Sequence, residues 1–592
     1  MLKITDCRSR ATADRPHLDL TLAWQPSRPC PPPATVEVRG RNLKTLVFSH
    51  WREMTCSEPG AELLWRTPEE PVFNDVSAHN PTFTVGRWQF PGAIRAEEPI
   101  TFHIVLEPQP VSGGEIPLHV VAMQHDKVLL TEEPVIQRVP AGPAEGFDLF
   151  ARPAPETDGS VRLSLLPVDA NRYPATLSRP APARITCKGC EVWHGELHGP
   201  RIVTVTPSGK GFARFQLHVE AAAVAANLST VTSNPVRLDR HCDRLPVFGE
   251  IHWHTSHSGD GMRPVREALR AGRDDLNLDF AAPGDHTPVD EKWQDTVAAL
   301  NAFNDSGRFA TFFGWEQSSN HGHENFYFTN PDHPLAPGGK AGLRGGNPEE
   351  NTSLLDRQTE PFVAIPHHTN AVSKAIKDDG THYWYAYPWK EPRNGYRRIV
   401  ELMQSRGNFE QEYPPDGWRH EHRGNGGSAQ TALDAGHRFG FIAGTDNHSG
   451  WPTLNTHERG SRLYAGVWTT ARERQAIFDG LFQRHTWACW DTRAIVCFSV
   501  NGALQGGELT VAPEETMRAR IQLALEAPLD TLELVTNGGE TIAVPYDDQT
   551  LDLDVTVELD VPGSTAYYYL RARQKNGALI YASPVFVEMR GA

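Results

Sequence analysis

The spacing of apolar residues changes at about Arg240, and this change limits the folds open to the chain. Before it, short runs of alternating apolar and polar residues, such as LDLTLAW and ATVEVRG, are separated by Pro and Gly clusters. This pattern is typical of antiparallel β domains. After it, apolar runs alternate with amphipathic segments such as PVDEKWQDTVAALNAF, where Trp293, Val297 and Leu300 share one helical face. We therefore expect an α/β region behind β domains.

The length of the chain and the positions of its strand candidates predict several domains. A chain of 592 residues predicts about three to five domains. The α/β region holds seven apolar strand candidates, and its length of about 245 residues suits a barrel. Short alternating strands return after about Trp490. The expected domains of this multidomain chain are a β-sandwich-like domain at 1–137, a second one at 138–240, an α/β barrel at 241–489 and a C-terminal antiparallel β-sandwich at 490–592.

Charge and hydropathy exclude two classes of partner. Lys and Arg number 57 and Asp and Glu number 73, so the formal net charge is −16, and such a field repels phosphate backbones. The sequence contains no run of 18 apolar residues, and no apolar core of a signal peptide follows its first basic residues. We expect a cytoplasmic protein that acts on a small molecule rather than on long nucleic acid or at a membrane.

Residue types that bind metals follow the apolar strands of the α/β region. Of the 26 histidines, 16 lie between His241 and His457, in little more than a third of the chain. In a barrel, the residues after the strands meet at one face, where such folds place their active sites. His252 and His254 are two residues apart, so both imidazoles project from one side of an extended segment. The residues of this kind are His252, His254, Asp260, Asp285, His286, Glu316, His323, His367, His368, Asp446 and His448.

This set of side chains predicts metal ions rather than isolated core histidines. A single such His is most simply a hydrogen-bonded core residue or a solvated loop residue. Burying so many polar groups without compensation, however, costs several kcal/mol each. Nitrogen and carboxylate ligands without Cys favour Zn, Mn or Fe. Because the ligands exceed the four of one tetrahedral zinc, at least two ions are expected.

The same motifs, in the same order, resemble those of the PHP (polymerase and histidinol phosphatase) superfamily. They are HWHTSHSGDG, GDH, GWE, GHE, IPHH and TDNH, and they extend over about residues 245 to 485. The resemblance implies a distorted (β/α)7 barrel, and the flanking β domains are similar to those of one branch of that superfamily. The sequence departs from the superfamily in IPHH, where His368 replaces the usual Pro.

The resemblance also implies the ligands of each ion. They are His252, His254, Glu316 and Asp446 for a first ion, Glu316, His323 and His367 for a second, and Asp260, His286 and His448 for the positions of a third. Glu316 would bridge, and two or three divalent ions (Mn, Zn or Fe) are expected. His367 aligns with the motif, which leaves His368 for a substrate or supporting contact. Successive side chains of a strand point to opposite faces, so we expect that both do not readily serve one ion.

Two ions about 3.5 to 4 Å apart can lower the pKa of a bridging water and polarise a phosphoryl oxygen. The sequence therefore predicts a metal-dependent hydrolase, a phosphoesterase whose nucleophile is a metal-bridging hydroxide. Arg406 follows the sixth strand, where it would clamp a phosphate oxygen, although an ordinary surface Arg is the simpler explanation. The residues expected to act in catalysis are Glu316, Asp446, His368 and Arg406.

Other functions fit the same sequence. The ions would also serve hydrolysis of another ester, a lactone, an amide or a sulfate ester, since fold and metals do not determine the substrate. A carbohydrate- or partner-binding protein with a structural metal site is a further alternative. Six aromatic residues in THYWYAYPWKEPRNGY either cover the barrel rim or line the site. If they line it, the substrate carries an apolar or ring-bearing portion.

Overall fold

The fold is that of a computed structural model of the chain. Strands make up 46% of it and helices 11%, in many separate sheets, so the protein is multidomain and mostly β. The structure describes residues 1–10, 17–41, 50–66, 82–96, 98–107, 115–125, 127–220, 230–239, 244–258, 261–286, 290–337, 348–372, 380–382, 385–413, 422–423, 426–455 and 461–590.

The strands between residues 2 and 138 form two antiparallel sheets. They are β1 (Leu2–Arg10), β2 (His17–Trp24), β3 (Ala34–Arg41), β4 (His50–Cys56), β5 (Glu62–Arg66), β6 (Thr82–Phe90), β7 (Ile100–Glu107), β8 (Glu115–Gln124), β9 (Lys127–Thr131) and β10 (Val135–Arg138). One sheet has the order β1-β2-β7-β4 and the other β10-β8-β3-β6-β5, with β9 paired to β8. Leu18, Leu20 and Leu22 alternate along β2 into a core shared by both sheets. Trp88 and Phe102 join the sheets, with ring centroids 4.9 Å apart.

A second set of antiparallel strands lies between residues 146 and 237. They are β11 (Gly146–Ala151), β12 (Val161–Val168), β13 (Ala181–Cys187), β14 (Cys190–Leu197), β15 (Arg201–Val205), β16 (Phe212–Ala213), β17 (Phe215–Val219), β18 (Thr230–Thr232) and β19 (Val236–Arg237). Leu163 of the sheet β11-β12-β15 shares a core with Ile185 and Leu217 of the sheet β14-β13-β17-β18. The alternating runs therefore again produce two packed sheets.

Residues 245–490 contain the α-helices and a mixture of strand pairings. The strands are β20 (Leu245–Glu250), β21 (Phe280–Ala281), β22 (Ala310–Thr311), β23 (Phe313–Gln317), β24 (His323–Phe328), β25 (Val363–His367), β26 (Ala371–Val372), β27 (Ile399–Gln404), β28 (Gly407–Asn408), β29 (His422–Arg423), β30 (Gly440–Ala443), β31 (Leu463–Thr469) and β32 (Thr486–Trp490). The helices are α1 (Val265–Arg270), α2 (Asp290–Phe303), α3 (Thr352–Leu355), α4 (Ala429–Asp434) and α5 (Arg474–Phe482). Among the described residues, no helix has the length and apolar composition that a membrane crossing needs.

The seven apolar runs of this region each coincide with a strand, but their pairing is not that of a regular (β/α)7 barrel. β20, β21 and β22 pair in parallel, as do β27 and β30. β23, β24 and β25 are antiparallel, because five residues join β23 to β24 and a parallel crossover needs about a dozen or more. Within the described residues, the hydrogen-bonded strands do not form a closed sheet. The structure therefore shows mixed sheets and does not show the expected barrel.

The C-terminal strands continue a sheet of this region. They are β33 (Ile495–Val500), β34 (Ala503–Leu504), β35 (Glu508–Val511), β36 (Met517–Ala524), β37 (Leu529–Val535), β38 (Thr541–Ala543), β39 (Asp552–Leu559), β40 (Ala566–Gln574), β41 (Leu579–Ala582) and β42 (Val585–Met589). β32 pairs with β41, so one sheet runs from β22 through β20, β31 and β32 into β41, β40 and β37. The domain limits expected at residues 137, 240 and 489 stay predictions.

Candidate metal centre

The strand ends of residues 245–490 bring most of the expected ligands together. His252 and His254 follow β20, and Trp253 between them forms a parallel bridge with Asn447, which lies between Asp446 and His448. The segment after β20 therefore lies beside the segment after β30. Eight of the nine expected ligands fall into connected groups of ligand atoms, and the ninth, Asp260, lies outside the described residues.

β23, β24 and β25 supply the remaining ligands. Glu316 lies on β23 and forms a parallel bridge with His286. His323, the first residue of β24, is paired with His367, the last residue of β25. The antiparallel hairpin that replaces a β/α crossover thus places His323 on the strand next to that of Glu316, and His367 beside His323 on the following strand.

The first group contains His252, His254, Glu316 and Asp446, all buried, with ligand atoms within 4.8 Å of one another. His254 Nε2 lies 2.9 Å from Asp446 Oδ1 and 3.2 Å from Glu316 Oε2. His252 Nε2 lies 3.6 Å from each of the same two oxygens. Two imidazole nitrogens and two carboxylate oxygens therefore converge on one point, as in a site for a divalent transition ion.

Glu316 connects this group to a second one. Its Oε2 faces the first group, whereas its Oε1 lies 2.6 Å from His323 Nδ1 and 3.2 Å from His367 Nε2. Burial alone would raise the pKa of this carboxyl, but the charge of His286 and the nearby imidazoles of His252, His254 and His323 hold the pKa well below its usual range. Glu316 is therefore an anion with one oxygen directed to each group.

His368 joins the second group, contrary to the expectation from strand alternation. Ligand atoms of His323, His367 and His368 lie within 4.8 Å of one another, and the rings of His323 and His368 are 4.6 Å apart. β25 ends at His367, and His368 has a φ of +37°. Because the backbone turns there, the two side chains no longer alternate between faces.

His254, His286 and His448 form a third group. The ring of His254 stacks on that of His448 with centroids 4.2 Å apart and on that of His286 at 4.5 Å. His286 Nδ1 also lies 3.3 Å from Glu316 Oε2. These rings extend the set of ligand atoms beyond what one ion needs.

The pKa values in the first group are shifted because its imidazoles and carboxylates lie close together. Burial lowers the pKa of His254, but the nearby carboxylates of Asp446 and Glu316 raise it overall to about 9. Burial would raise the pKa of Asp446, yet Arg406 and His252 hold it well below its usual range. The group thus pairs protonated imidazoles with carboxylates, and a divalent cation would replace those protons.

Two buried atoms that lack hydrogen bonds indicate that these residues fit metal ions. His252 Nε2 and Glu316 Oε2 are buried, and neither makes a hydrogen bond within the described part of the chain. Leaving such atoms unpaired costs about 1 to 3 kcal/mol each. Coordination would satisfy both at once, and nitrogen and oxygen donors suit Zn, Mn or Fe. The donor set therefore fits divalent ions.

Two buried carboxylates lie behind the ligands, and neither was predicted from the sequence. Glu401 Oε2 lies 2.8 Å from His252 Nδ1, and a Cβ on Gly444 would lie 2.2 Å from that oxygen, so glycine leaves room for it. Glu250 accepts hydrogen bonds from the backbone of His252 and Thr445. Their signal in the sequence is an acidic residue inside an apolar strand, as in RRIVELM and PVFGEIH.

Replacing Glu401 with Gln is expected to weaken binding of Mn²⁺ by about 10- to 100-fold, the usual effect of losing a carboxylate that orients a ligand histidine. The amide keeps the shape of the side chain but loses the charge that fixes the His252 tautomer. Titration of the metal-free protein measures the affinity. Glu410→Gln, which changes a buried carboxylate bonded to Tyr569 and Tyr581, should bind Mn²⁺ as the wild type does. Equal affinities for Glu401→Gln and the wild type would contradict this role.

Arg406 and the aromatic segment lie at the edge of the site. Arg406 is buried, and its Nη1 donates to Asp446 Oδ2 and to Gln404 Oε1, 3.1 Å away. Tyr387 N donates to Thr369 O, and Tyr385 N donates to Asn320 O. The aromatic segment therefore packs against the residues that flank His323 and His368. Tyr383 and Trp384 lie outside the described residues.

Comparisons with protein families and curated proteins give relatives without an assigned activity. A family described as "Protein of unknown function (DUF3604)" matches residues 267–415. An uncharacterized protein of Chlamydia muridarum is 25% identical over 409 residues, and one of Chlamydia trachomatis serovar D is 24% identical over 409 residues. Both alignments cover 64% of this chain and 62% of the relative. The chain thus spans about 62% of the length of the curated relatives it matches.

Two solved structures show limited similarity. A two-domain protein from Bacteroides vulgatus, described as containing a predicted PHP-like metal-dependent phosphoesterase, is 14% identical with a TM-score of 0.32, over 58% of this chain and 97% of that one. A calcium-binding mutant of Bacteroides uniformis β-glucuronidase 2 is 9% identical with a TM-score of 0.20, over 99% of this chain and 75% of that one. At these TM-scores neither similarity carries an argument about fold or activity.

Proposed function

We propose that this protein is a metal-dependent hydrolase that cleaves phosphate esters of small molecules. The observation that carries the proposal is the position of Glu316, whose two carboxylate oxygens face two different groups of buried histidines. A carboxylate shared between two ligand groups suits a pair of adjacent cations. Such pairs are used for in-line displacement at phosphorus.

Two or three divalent ions would occupy the site. The residues that would hold them are His252, His254, Glu316 and Asp446 for the first, Glu316, His323 and His367 for the second, and Asp260, His286 and His448 for the positions of a third. When bound, such ions lower the pKa of a coordinated water and polarise a phosphoryl oxygen. In this proposal residues 241–489 are a distorted (β/α)7 PHP-type barrel, with β-sandwiches on either side.

The residues of the chain would orient the reactants around these ions. Arg406 holds Asp446 through Oδ2, which leaves Oδ1 directed at His254. Arg406 therefore positions Asp446, and a direct contact with a phosphate oxygen would require the guanidinium to reach past that carboxylate. His368, beside His323, is placed for a substrate contact at the second group. The stacked rings of His321 and Tyr385, 5.7 Å apart, would pack on a ring-bearing portion of the substrate.

The protein reconstituted with Mn²⁺ or Zn²⁺ is expected to hold two or three ions per chain and to hydrolyse phosphate esters. Elemental analysis after desalting measures the ions, and a panel of phosphomonoesters, phosphodiesters, sulfate esters and lactones measures the activity. Binding of at most one ion would contradict the polynuclear site. Turnover of sulfate esters or lactones alone would support a metal-dependent hydrolase but contradict the proposal that it acts on phosphate esters. Full occupancy without turnover of any substrate would favour a structural metal site.

A further inference from the structure

Met262 links the N-terminal sheets, β1–β10, to the segments that carry the candidate metal ligands. It lies in a loop just before α1, the Met262 loop (residues 261–263). Its side chain is buried and belongs to the hydrophobic core that the two N-terminal sheets share. Within the described part of the chain, the other buried residues of that core all lie between Leu2 and Val139. A residue of the ligand-bearing region therefore completes a core that is otherwise built from the N-terminal part of the chain.

The backbone of the Met262 loop bonds both segments that carry ligands of the third group. Met262 N donates a hydrogen bond to His448 O at 2.9 Å, and Ser256 N donates one to Arg263 O at 2.9 Å. Ser256 is two residues after His254 in the sequence. The loop is thus joined to the segment after β20 and to the segment after β30.

Two glycines show how closely the Met262 loop packs on these segments. A Cβ on Gly261 would lie 2.1 Å from Thr255 O, and a Cβ on Gly450 would lie 2.5 Å from the Cβ of Arg263. Thr255 is one residue, and Gly450 two residues, from a candidate ligand histidine. Because packed interiors transmit small shifts to their neighbours, a movement of the loop would move both ligand segments.

A second contact holds α1 from the side of the N-terminal sheets. Arg138 is the last residue of β10, and its Nη2 lies 2.8 Å from Oε1 of Glu267 on α1. Both side chains are at least one-third exposed, and exposed ion pairs contribute little to stability. The buried side chain of Met262 is therefore the stronger of these two links.

We propose that the N-terminal sheets position the Met262 loop and, through it, the backbone of His254 and His448. Met262 is a positioning residue, since its side chain lies in the core of those sheets while its backbone bonds a ligand segment. The inference rests on the proposed function in treating these two histidines as metal ligands. It gives the N-terminal sheets a part in forming the metal centre.

Two measurements on the full-length protein test this inference, with Met54→Ala as the matched control. Met54, on β4, is a buried methionine of the same core, so both Ala variants should lower the melting temperature through a similar loss of packing. In a titration of the metal-free protein, Met262→Ala should also bind its weakest Mn²⁺ ion about tenfold less tightly, as is usual when a group that orients a ligand is lost.

The second measurement is amide hydrogen exchange, which needs no metal. Exchange at residues 254–263 should become about tenfold faster in Met262→Ala, because the bond from the backbone of residue 262 to His448 O is no longer fixed by a buried side chain. Met54→Ala should leave exchange at these residues as in the wild type. Met262→Leu refills the core and should restore both the exchange and the affinity.

The outcomes separate positioning from a general loss of stability. Changes in affinity and exchange that occur in Met262→Ala but not in Met54→Ala, with rescue by Met262→Leu, support the inference. It is overturned if Met262→Ala matches Met54→Ala in either measurement. If Met262→Ala does not fold, Met262→Val, which removes less volume, is compared with Met54→Val by the same criteria. A wild type that binds no Mn²⁺ would contradict the proposed function, and amide exchange alone would then decide whether the N-terminal sheets position the loop.

Discussion

Replacing Glu316 with Gln is expected to remove nearly all hydrolysis and most of the bound metal. One oxygen of Glu316 lies 2.6 Å from His323 and the other 3.2 Å from His254, so each oxygen faces a different group of histidines. A neutral amide offers one carbonyl oxygen and one NH2 group and cannot face two cations. At an effective dielectric constant of about 20, a unit charge about 4 Å away contributes about 4 kcal/mol. This energy corresponds to a loss of about 10³-fold in turnover.

Elemental analysis and turnover of the best ester in the panel measure this effect. Glu410→Gln is the control, since Glu410 is also fully buried but bonds Tyr569, Tyr581 and Arg571. The melting temperature of Glu316→Gln should show a folded protein, because the apolar core lies elsewhere. Wild-type metal content together with wild-type turnover would show that Glu316 does not bridge.

Replacing His367 with Ala is expected to remove one ion and nearly abolish hydrolysis, whereas His368→Ala should keep the ions and mainly change substrate affinity or rate. His367 Nε2 lies 3.2 Å from the Glu316 carboxylate, whereas the ring of His368 contacts the rings of His323 and His367. Burial and those two neighbouring histidines hold the pKa of His368 well below its usual range. A neutral imidazole beside the proposed ions suits a contact with substrate.

Metal content and separate values of kcat and KM distinguish the two variants. His437→Ala serves as the control for removing a buried imidazole, because His437 bonds Lys390 O and belongs to none of the ligand groups. Equal loss of metal from His367→Ala and His368→Ala would mean that both coordinate. Loss of metal from His368→Ala alone would show that the ligand is His368 and not His367.

Much of the local structure could be predicted because it depends on neighbouring residues. The alternation in LDLTLAW places Leu18, Leu20 and Leu22 in one core whichever strands pair with β2. The apolar runs of the α/β region likewise coincide with strands, since a run such as FVAIPH has no polar face to expose. Pairing between strands was predicted less well, because it depends on contacts between distant residues. The five-residue connection between β23 and β24 was too short for the crossover that a regular barrel needs.

The order of residues along the chain alone specifies which chemical groups follow each strand, and so the types of metal ligand that are available. HWH, GWE and TDNH are short motifs, and the spacing within each settles which side chains leave one side of the backbone. Which of these groups meet depends on the packing of strands that are distant in the chain. Glu316 faces two sets of histidines because β23 pairs with β24 on one side and is bridged to His286, after β21, on the other. His368 turns toward His323 because the backbone at that residue is left-handed. Glu401 supports His252 across 149 residues of sequence, a distance over which no local pattern carries information.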